Sequence, residues 1–340
     1  MTKVAEPSPP ATDLEPRGSR ASRFSPLGLL EKNGVLIAWL IVIGVFSLLR
    51  PNTFPTSGTA SVVFGTQTVI LIVTMGLLLA LAVGEIDLSV GSVVGFGAVL
   101  LVVFNGQLKL PIGVALVLTL VCCALVGVVN ALLVVVVGVQ SIIVTLGMAT
   151  LLTGFTLAVS GSKVVTGLDV SVVQFVATRW LGIPLPFYLG VLLTVAIWFI
   201  LQHTPIGRRM AFVLASREVA RLAGLRVNRI RFGALVSTSL IAGLAGVVLA
   251  SQNGAANPQA GAYYLLPAFA GAFLGSTTVR PGRFNAIGTF IAVYFLVTGI
   301  TGLVYLGFAG WPEQVFYGAS LLVAVTLSHI AGRRARGGGS

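Results

Sequence analysis

Ten stretches of apolar residues, each close to the length of a membrane crossing, follow one another between positions 34 and 330. A hydrocarbon core of roughly 30 Å is spanned by about 20 helical residues, and lipid offers no water to satisfy a bare backbone. This pattern sets the fold class: an all-α polytopic membrane protein of about ten transmembrane helices. The composition agrees, with 56% hydrophobic and 9% charged residues and a mean hydropathy of +1.02. Such a chain has too few polar side chains to keep a water-facing surface.

The segments run approximately over 34–49, 61–83, 88–104, 111–137, 141–159, 186–201, 232–250, 263–279, 284–308 and 314–330. The first 33 residues hold five prolines among Ser, Arg and acidic residues, with neither apolar periodicity nor a signal-peptide pattern. They read as a flexible cytoplasmic tail. Residues 34–330 read as the membrane domain, and 331–340 as a second cytoplasmic tail. With the N-terminus inside, ten crossings put seventeen of the 21 Lys and Arg residues on the inner side and leave Arg50, Lys109, Lys163 and Arg179 outside. That is the positive-inside pattern, and both termini are then cytoplasmic. A shift by one helix destroys the asymmetry; eight crossings with two re-entrant segments preserve it. The net charge of +12 follows from topology, so nucleic acid is not an expected partner and membrane lipid is.

Three polar islands interrupt this pattern. The first, Gly84-Glu85-Ile86-Asp87-Leu88-Ser89-Val90-Gly91-Ser92, places two carboxylates between membrane-length runs. Ionised groups are costly there, so Glu85 and Asp87 should face a bundle interior, a cavity or the interface. One reading is a helix break in which Asp87 or Ser89 caps the next helix; the other is contact with a transported solute or a gate. The second island is inner segment 204–231. In it Ser216 is placed to cap a short helix, Glu218 and Arg217 sit in its first turn, Ala220 and Arg221 follow, and Gly224 suits a left-handed end. A docking helix and a solvated loop facing lipid headgroups both fit. The third is the loop 251–261, where Gln252, Asn253, Asn257 and Gln259 offer amides to a hydroxyl-rich solute or to a binding protein, or simply order a turn.

Other chemistry is excluded by what is missing. Gly161-Ser162-Lys163 lacks the upstream glycine of a phosphate-binding loop, so ATP is not expected to bind this chain. The two histidines, His203 and His329, stand far apart, and no His, Cys or carboxylate cluster has metal-ligand spacing. Cys122 and Cys123 are adjacent inside an apolar run and read as small core residues. No catalytic constellation is visible, so an enzyme is not expected.

Taken together, these residues resemble the permease subunits of ribose-type ABC importers, the branch that handles ribose, xylose, arabinose, galactosides and related compounds. The resemblance covers nearly all of 34–330. It is carried by Gly84 to Gly91, by Thr145-Leu146-Gly147-Met148 leading to Ser160-Gly161, and by Thr204 to Gly207. Ala220-Arg221-Leu222-Ala223-Gly224 and Gly243-Leu244-Ala245-Gly246, leading to Pro258-x-Ala-Gly, complete it. The resemblance implies a bacterial inner-membrane subunit paired with a second permease copy, as a homodimer. It also implies an ATP-binding subunit inside, which holds the ATP and Mg, and a solute-binding protein outside. Glu218 followed by Gly224 looks like the element through which such permeases dock on their ATPases, although Val219 stands where an Ala is usual. The expected function is alternating-access import of a sugar, such as a pentose. An ion-coupled secondary transporter using Glu85 or Asp87 is the alternative. An enzyme acting on lipid-linked substrates is a third class, which would need a catalytic cluster at one membrane face that the sequence does not show.

Overall fold

The computed structural model describes residues 26–308 and 310–337. The chain begins with α1 (Pro26–Leu49), a short α2 (Ser57–Ser61) and α3 (Thr68–Leu81), joined by a π-helical turn at Val62–Thr66. After a non-helical break come α4 (Val90–Val102), α5 (Ile112–Ala131) and α6 (Ser141–Ser160). The excursion that follows holds β1 (Val165–Thr166), α7 (Val170–Ala177), β2 (Arg179–Trp180) and β3 (Ile183–Pro184). The chain then returns as α8 (Leu185–His203), α9 (Pro205–Ala215), α10 (Arg217–Leu222) and the long α11 (Val227–Asn253). It ends with β4 (Ala255–Ala256), α12 (Ala262–Gly275), α13 (Ala286–Tyr305) and α14 (Trp311–Gly337).

Each of the ten apolar segments overlaps a helix, and the described residues are all-α apart from two-residue strands and the connecting turns. Antiparallel pairing joins β1 to β4, with Val165 opposite Ala256, and β2 to β3, with Trp180 opposite Ile183. Among the described residues, seven helices are long and apolar enough to cross a membrane, and Asn33–Leu49 and Ala262–Gly275 are shorter apolar helices. Helix α1 already begins at Pro26, and α14 continues to Gly337, through most of the segment expected to be a tail. The charges Glu31 and Lys32 end the apolar run without ending the helix. Residues 1–25 and 338–340 of the expected tails lie outside the described residues.

The core is built on α3, α4 and α11. Every residue of α3 is buried, as an all-round apolar sequence requires of a helix that other helices enclose. Helix α11 packs against α3, α4 and α5, and small residues set the spacing. A Cβ added at Gly246 would stand 2.3 Å from the Val94 carbonyl of α4, and one at Gly243 2.5 Å from the Cys123 Cβ of α5. In lipid, close backbone approach replaces the hydrophobic drive as the source of helix association. By contrast α6 buries only Ser141, Val144, Thr145, Leu152 and Thr156, on the side that meets α4, and exposes Ile143, Leu146, Leu151 and Phe155.

Candidate functional site

The break between α3 and α4 positions the first polar island. Gly84 takes φ +75°, a region that costs glycine nothing, and turns the chain off the end of α3. Glu85 then points inward with 2% of its surface exposed. Its Oε1 accepts from Arg231 Nε of α11 at 2.5 Å and from Arg217 Nη2 of α10 at 2.7 Å. Arg217 also donates to the Gly84 carbonyl at 3.1 Å. A buried carboxylate is tolerated when it is paired and hydrogen-bonded, and Glu85 has two cations. The Arg217 side chain remains 42% exposed, whereas Arg231 is buried.

Two residues on, Asp87 is fully buried and has no ion-pair partner among the described residues. Its Oδ1 accepts from the Ser89 amide at 2.9 Å and the Ser89 hydroxyl at 2.6 Å. Asn130 Nδ2 of α5 donates to the same hydroxyl oxygen at 3.0 Å. Asp87 Oδ2 and Asn130 Oδ1 find no hydrogen-bond partner among the described residues. Burial pushes the Asp87 carboxyl above the ordinary carboxylate range, against the two Ser89 hydrogen bonds that pull it down. The expected cap takes a different form: Ser89 occupies the N-cap position of α4, but its side chain turns back to Asp87 and makes no cap hydrogen bond.

Side chains of α6 satisfy the backbone of the break. The Ile86 amide donates to Ser141 Oγ and the Leu88 amide to Thr145 Oγ1, at 3.3 and 3.0 Å, while the Thr145 hydroxyl lies 3.3 Å from the Ile86 carbonyl. The non-helical stretch thus draws backbone partners from a neighbouring helix, with Glu85, Asp87 and Ser89 buried within it.

The second island folds into two helices rather than one. Pro205 opens α9, and the Thr204 hydroxyl accepts from the Gly207 amide. Ser216 caps α10 by accepting from the Val219 amide at 3.3 Å, with Glu218 in the first turn. Gly224 follows at φ +78°. Ala220 is fully buried, whereas Val219 and Leu222 are exposed, and Arg221 reaches Asn228 at 3.4 Å. Arg217 is the member of this group that turns inward, to Glu85.

The third island is not one surface. Gln252 is held by a 3.1 Å hydrogen bond from its Nε2 to the Gly65 carbonyl, Asn253 closes α11, and Asn257 Oδ1 accepts from the Gln259 amide at 3.0 Å. Beyond Asn257 the chain leaves the rim and runs back along the first turns of α4. A Cβ at Gly261 would stand 2.2 Å from the Gly91 carbonyl, and one at Gly91 2.8 Å from the Gly261 carbonyl. Helix α12 starts there, which explains why its 14 residues, about 21 Å, fall short of a crossing. Between this returning loop, α4 and α6 lies a cavity of about 430 Å³ whose polar lining includes Ser92, Thr153, Gln259 and Tyr263. The hydroxyls of Ser92 and Thr153 stand 3.4 Å apart at its wall.

Of the amides read from the loop, only Gln259 lines this cavity. Thr153, Asn130 and Arg231 were missed. Asn130, a lone amide in an apolar run, carried a signal in the sequence; Thr153 carried none. One stretch, 84–95, joins all three islands: α10 through Glu85, α5 and α6 through Ser89 and its neighbouring amides, and the returning loop through Gly91 and Gly95.

The sequence comparison decides the family. Residues 60–325 match the family described as branched-chain amino acid transport system / permease component. The chain belongs to this permease family. The permease is 32% identical to the ribose import permease protein RbsC of Escherichia coli K12 over 311 residues, 90% of this chain and 96% of the relative. It is 31% identical to the autoinducer 2 import system permease protein LsrD of Photorhabdus luminescens over 260 residues, 75% of this chain and 78% of the relative. With the ribose import permease protein RbsC of Bacillus subtilis it shares 30% over 303 residues, 88% and 93% of the two chains. No solved structure matches the permease. As a permease component of a multi-part transport system it is a membrane-spanning transport subunit, not an enzyme.

Proposed function

We propose that the permease forms half of the membrane channel of an ATP-driven importer for a sugar or a closely related hydroxylated solute. It would stand in a bacterial inner membrane with ten crossings and both termini in the cytoplasm, paired with a second copy of itself. Residues 204–231 would be the cytoplasmic coupling segment within the membrane domain. A solute-binding protein outside delivers the solute, and a separate subunit inside binds ATP and Mg.

The observation that carries this reading is the continuity of the segment 84–95. At one end it is tied to α10, whose exposed Val219, Leu222 and Glu218 are free to meet an ATPase. At the other it walls the cavity of Ser92, Thr153 and Gln259. Displacement of α10 is thereby delivered to the wall of a hydroxyl- and amide-lined space, which is what alternating access asks of a helix break. Hydroxyls and an amide suit a neutral polyol, and the names of the ribose and autoinducer 2 permeases favour that substrate class. The ion-coupled alternative through Glu85 or Asp87 is disfavoured by the family match, and Glu85, one of its two carboxylates, is already neutralised by Arg217 and Arg231.

The test is purification in mild detergent followed by mass spectrometry of what accompanies the permease, then reconstitution with those partners. Stoichiometric recovery of an ATPase subunit and ATP-dependent uptake of a pentose support the reading. Uptake by the permease alone, abolished by an ionophore and indifferent to ATP, would overturn it.

A further inference from the structure

Helix α11 leaves one face uncovered. Gly233, Ser237, Leu240, Leu244 and Val247 recur at intervals of four and three, so they form a single stripe along the helix, and each is exposed or half-exposed. Helix α8 walls both ends of the stripe. At the far end, Leu189 of α8 and Phe175 of α7 enclose an apolar cavity of about 390 Å³ over Leu244 and Val247. At the near end, Ile200 of α8 and Ile206 of α9 enclose a larger cavity of about 710 Å³.

The two ends differ in charge. Arg209, Arg226 and Arg229 all line the near cavity. None of the three has an acidic partner among the described residues, where both ion pairs belong to Glu85. The far cavity carries no charged residue. A cluster of three unpaired guanidinium groups beside an apolar furrow is complementary to an amphiphile with an anionic head. The stretch from Arg229 to Leu240 rises about 16 Å along the helix, which is about the depth of one leaflet of a 30 Å core.

We propose that this groove is a binding site for an anionic phospholipid of the cytoplasmic leaflet, its phosphate held by Arg209, Arg226 and Arg229 and its acyl chains laid along Gly233 to Leu240. The assignment of leaflet rests on the topology proposed above; the site itself does not depend on transport, so the two stand or fall separately. Gly233 provides a way to block the furrow without disturbing the fold, because an added Cβ there meets nothing within 4 Å.

The experiment is native mass spectrometry and lipid extraction of the full permease, purified in mild detergent and re-equilibrated with vesicles of phosphatidylglycerol or of phosphatidylcholine. Inorganic phosphate is added in a parallel arm. The wild type is expected to retain one phosphatidylglycerol per chain in preference to phosphatidylcholine. The combined R209Q/R226Q/R229Q variant should retain it about a hundredfold less well, since each basic side chain near an anionic surface is worth about a factor of five. Gly233→Phe should lower retention of the lipid with no change in helical content or elution volume. Equal retention of the two lipids, or unchanged retention in the triple variant, overturns the proposal. Competition by inorganic phosphate alone, with Gly233→Phe indistinguishable from wild type, also overturns it and leaves an anion site without a lipid. Weakened capture of the ATPase subunit by the triple variant with lipid retention intact assigns the arginines to docking instead.

Discussion

The break at 84–89 and the loop at 252–261 look alike in the sequence, each a short run of polar and glycine residues between apolar helices, yet they satisfy their polar groups in opposite ways. The break is buried and draws its partners from α5, α6, α10 and α11. The loop relies on backbone partners instead, through the Asn257 turn, one tether from Gln252 to Gly65 and the pairing of β4 with β1. The difference lies in charge: an amide can close a turn on its own backbone, whereas a buried carboxylate must recruit a donor from elsewhere or shed its charge. The break is thus a knot of long-range contacts, and the loop is left open enough to line a cavity.

The comparison makes graded predictions. Glu85→Ala should cost most, about 3–5 kcal/mol, because it strands the buried Arg231 without a counter-charge. Thermal unfolding in detergent reads this loss, and a Glu85→Ala variant as stable as wild type would break the contrast between the two regions. Asp87→Ala should cost about 1–3 kcal/mol by leaving the Ser89 donors unsatisfied. Asp87→Asn keeps the accepting oxygen and should cost less than about 1 kcal/mol. Asp87 also brings a pH dependence whose sign is fixed. Its folded pKa is raised above the ordinary 3.8, so the stability it contributes is full below that value. That contribution is lost as pH rises through the raised one. Asp87→Asn should remove this acid-side slope from a plot of unfolding midpoint against pH.

How far these regions were legible in the sequence follows the same division. The apolar runs announced the helices, and the N-cap at Ser216 and the left-handed Gly224 could be read locally because a cap involves neighbours within three residues. The partners of Glu85 could not: Arg217 and Arg231 lie 132 and 146 positions away, and nothing in their own surroundings separates them from the other inner arginines. The return of the loop along α4 was hidden for a related reason. Gly91, Gly95 and Gly261 mark a backbone contact only when they are brought together. Thr153 was invisible because a threonine in an apolar helix donates to the carbonyl four residues back, here Ala149, wherever its face points.

Smaller effects sharpen the comparison on the open side. Ser216→Ala should cost about 1 kcal/mol through loss of the α10 cap, and should reduce capture of the ATPase subunit in a pull-down more than it lowers the unfolding midpoint. Gln259→Ala, at the cavity wall, should change stability by less than about 0.5 kcal/mol while altering uptake or solute preference in reconstituted vesicles. Unchanged transport by both Gln259→Ala and Thr153→Ala would remove the cavity from the solute path.

The sharing of Glu85 between two arginines has a mechanical consequence. Arg231 sits on the long α11 and is sealed from solvent, while Arg217 sits on the six-residue α10 and is part-exposed. If α10 moves, Arg217 carries its displacement to the break through Glu85, while Arg231 holds the same carboxylate from the other side. The carboxylate keeps its inner counter-ion throughout, so the Arg217 contact can bend or lengthen without stranding a buried charge. Under the proposed mechanism the shared carboxylate would work as a push-rod: α10 moves one end, residues 84–95 follow at the other, and the charge at the joint is never left bare.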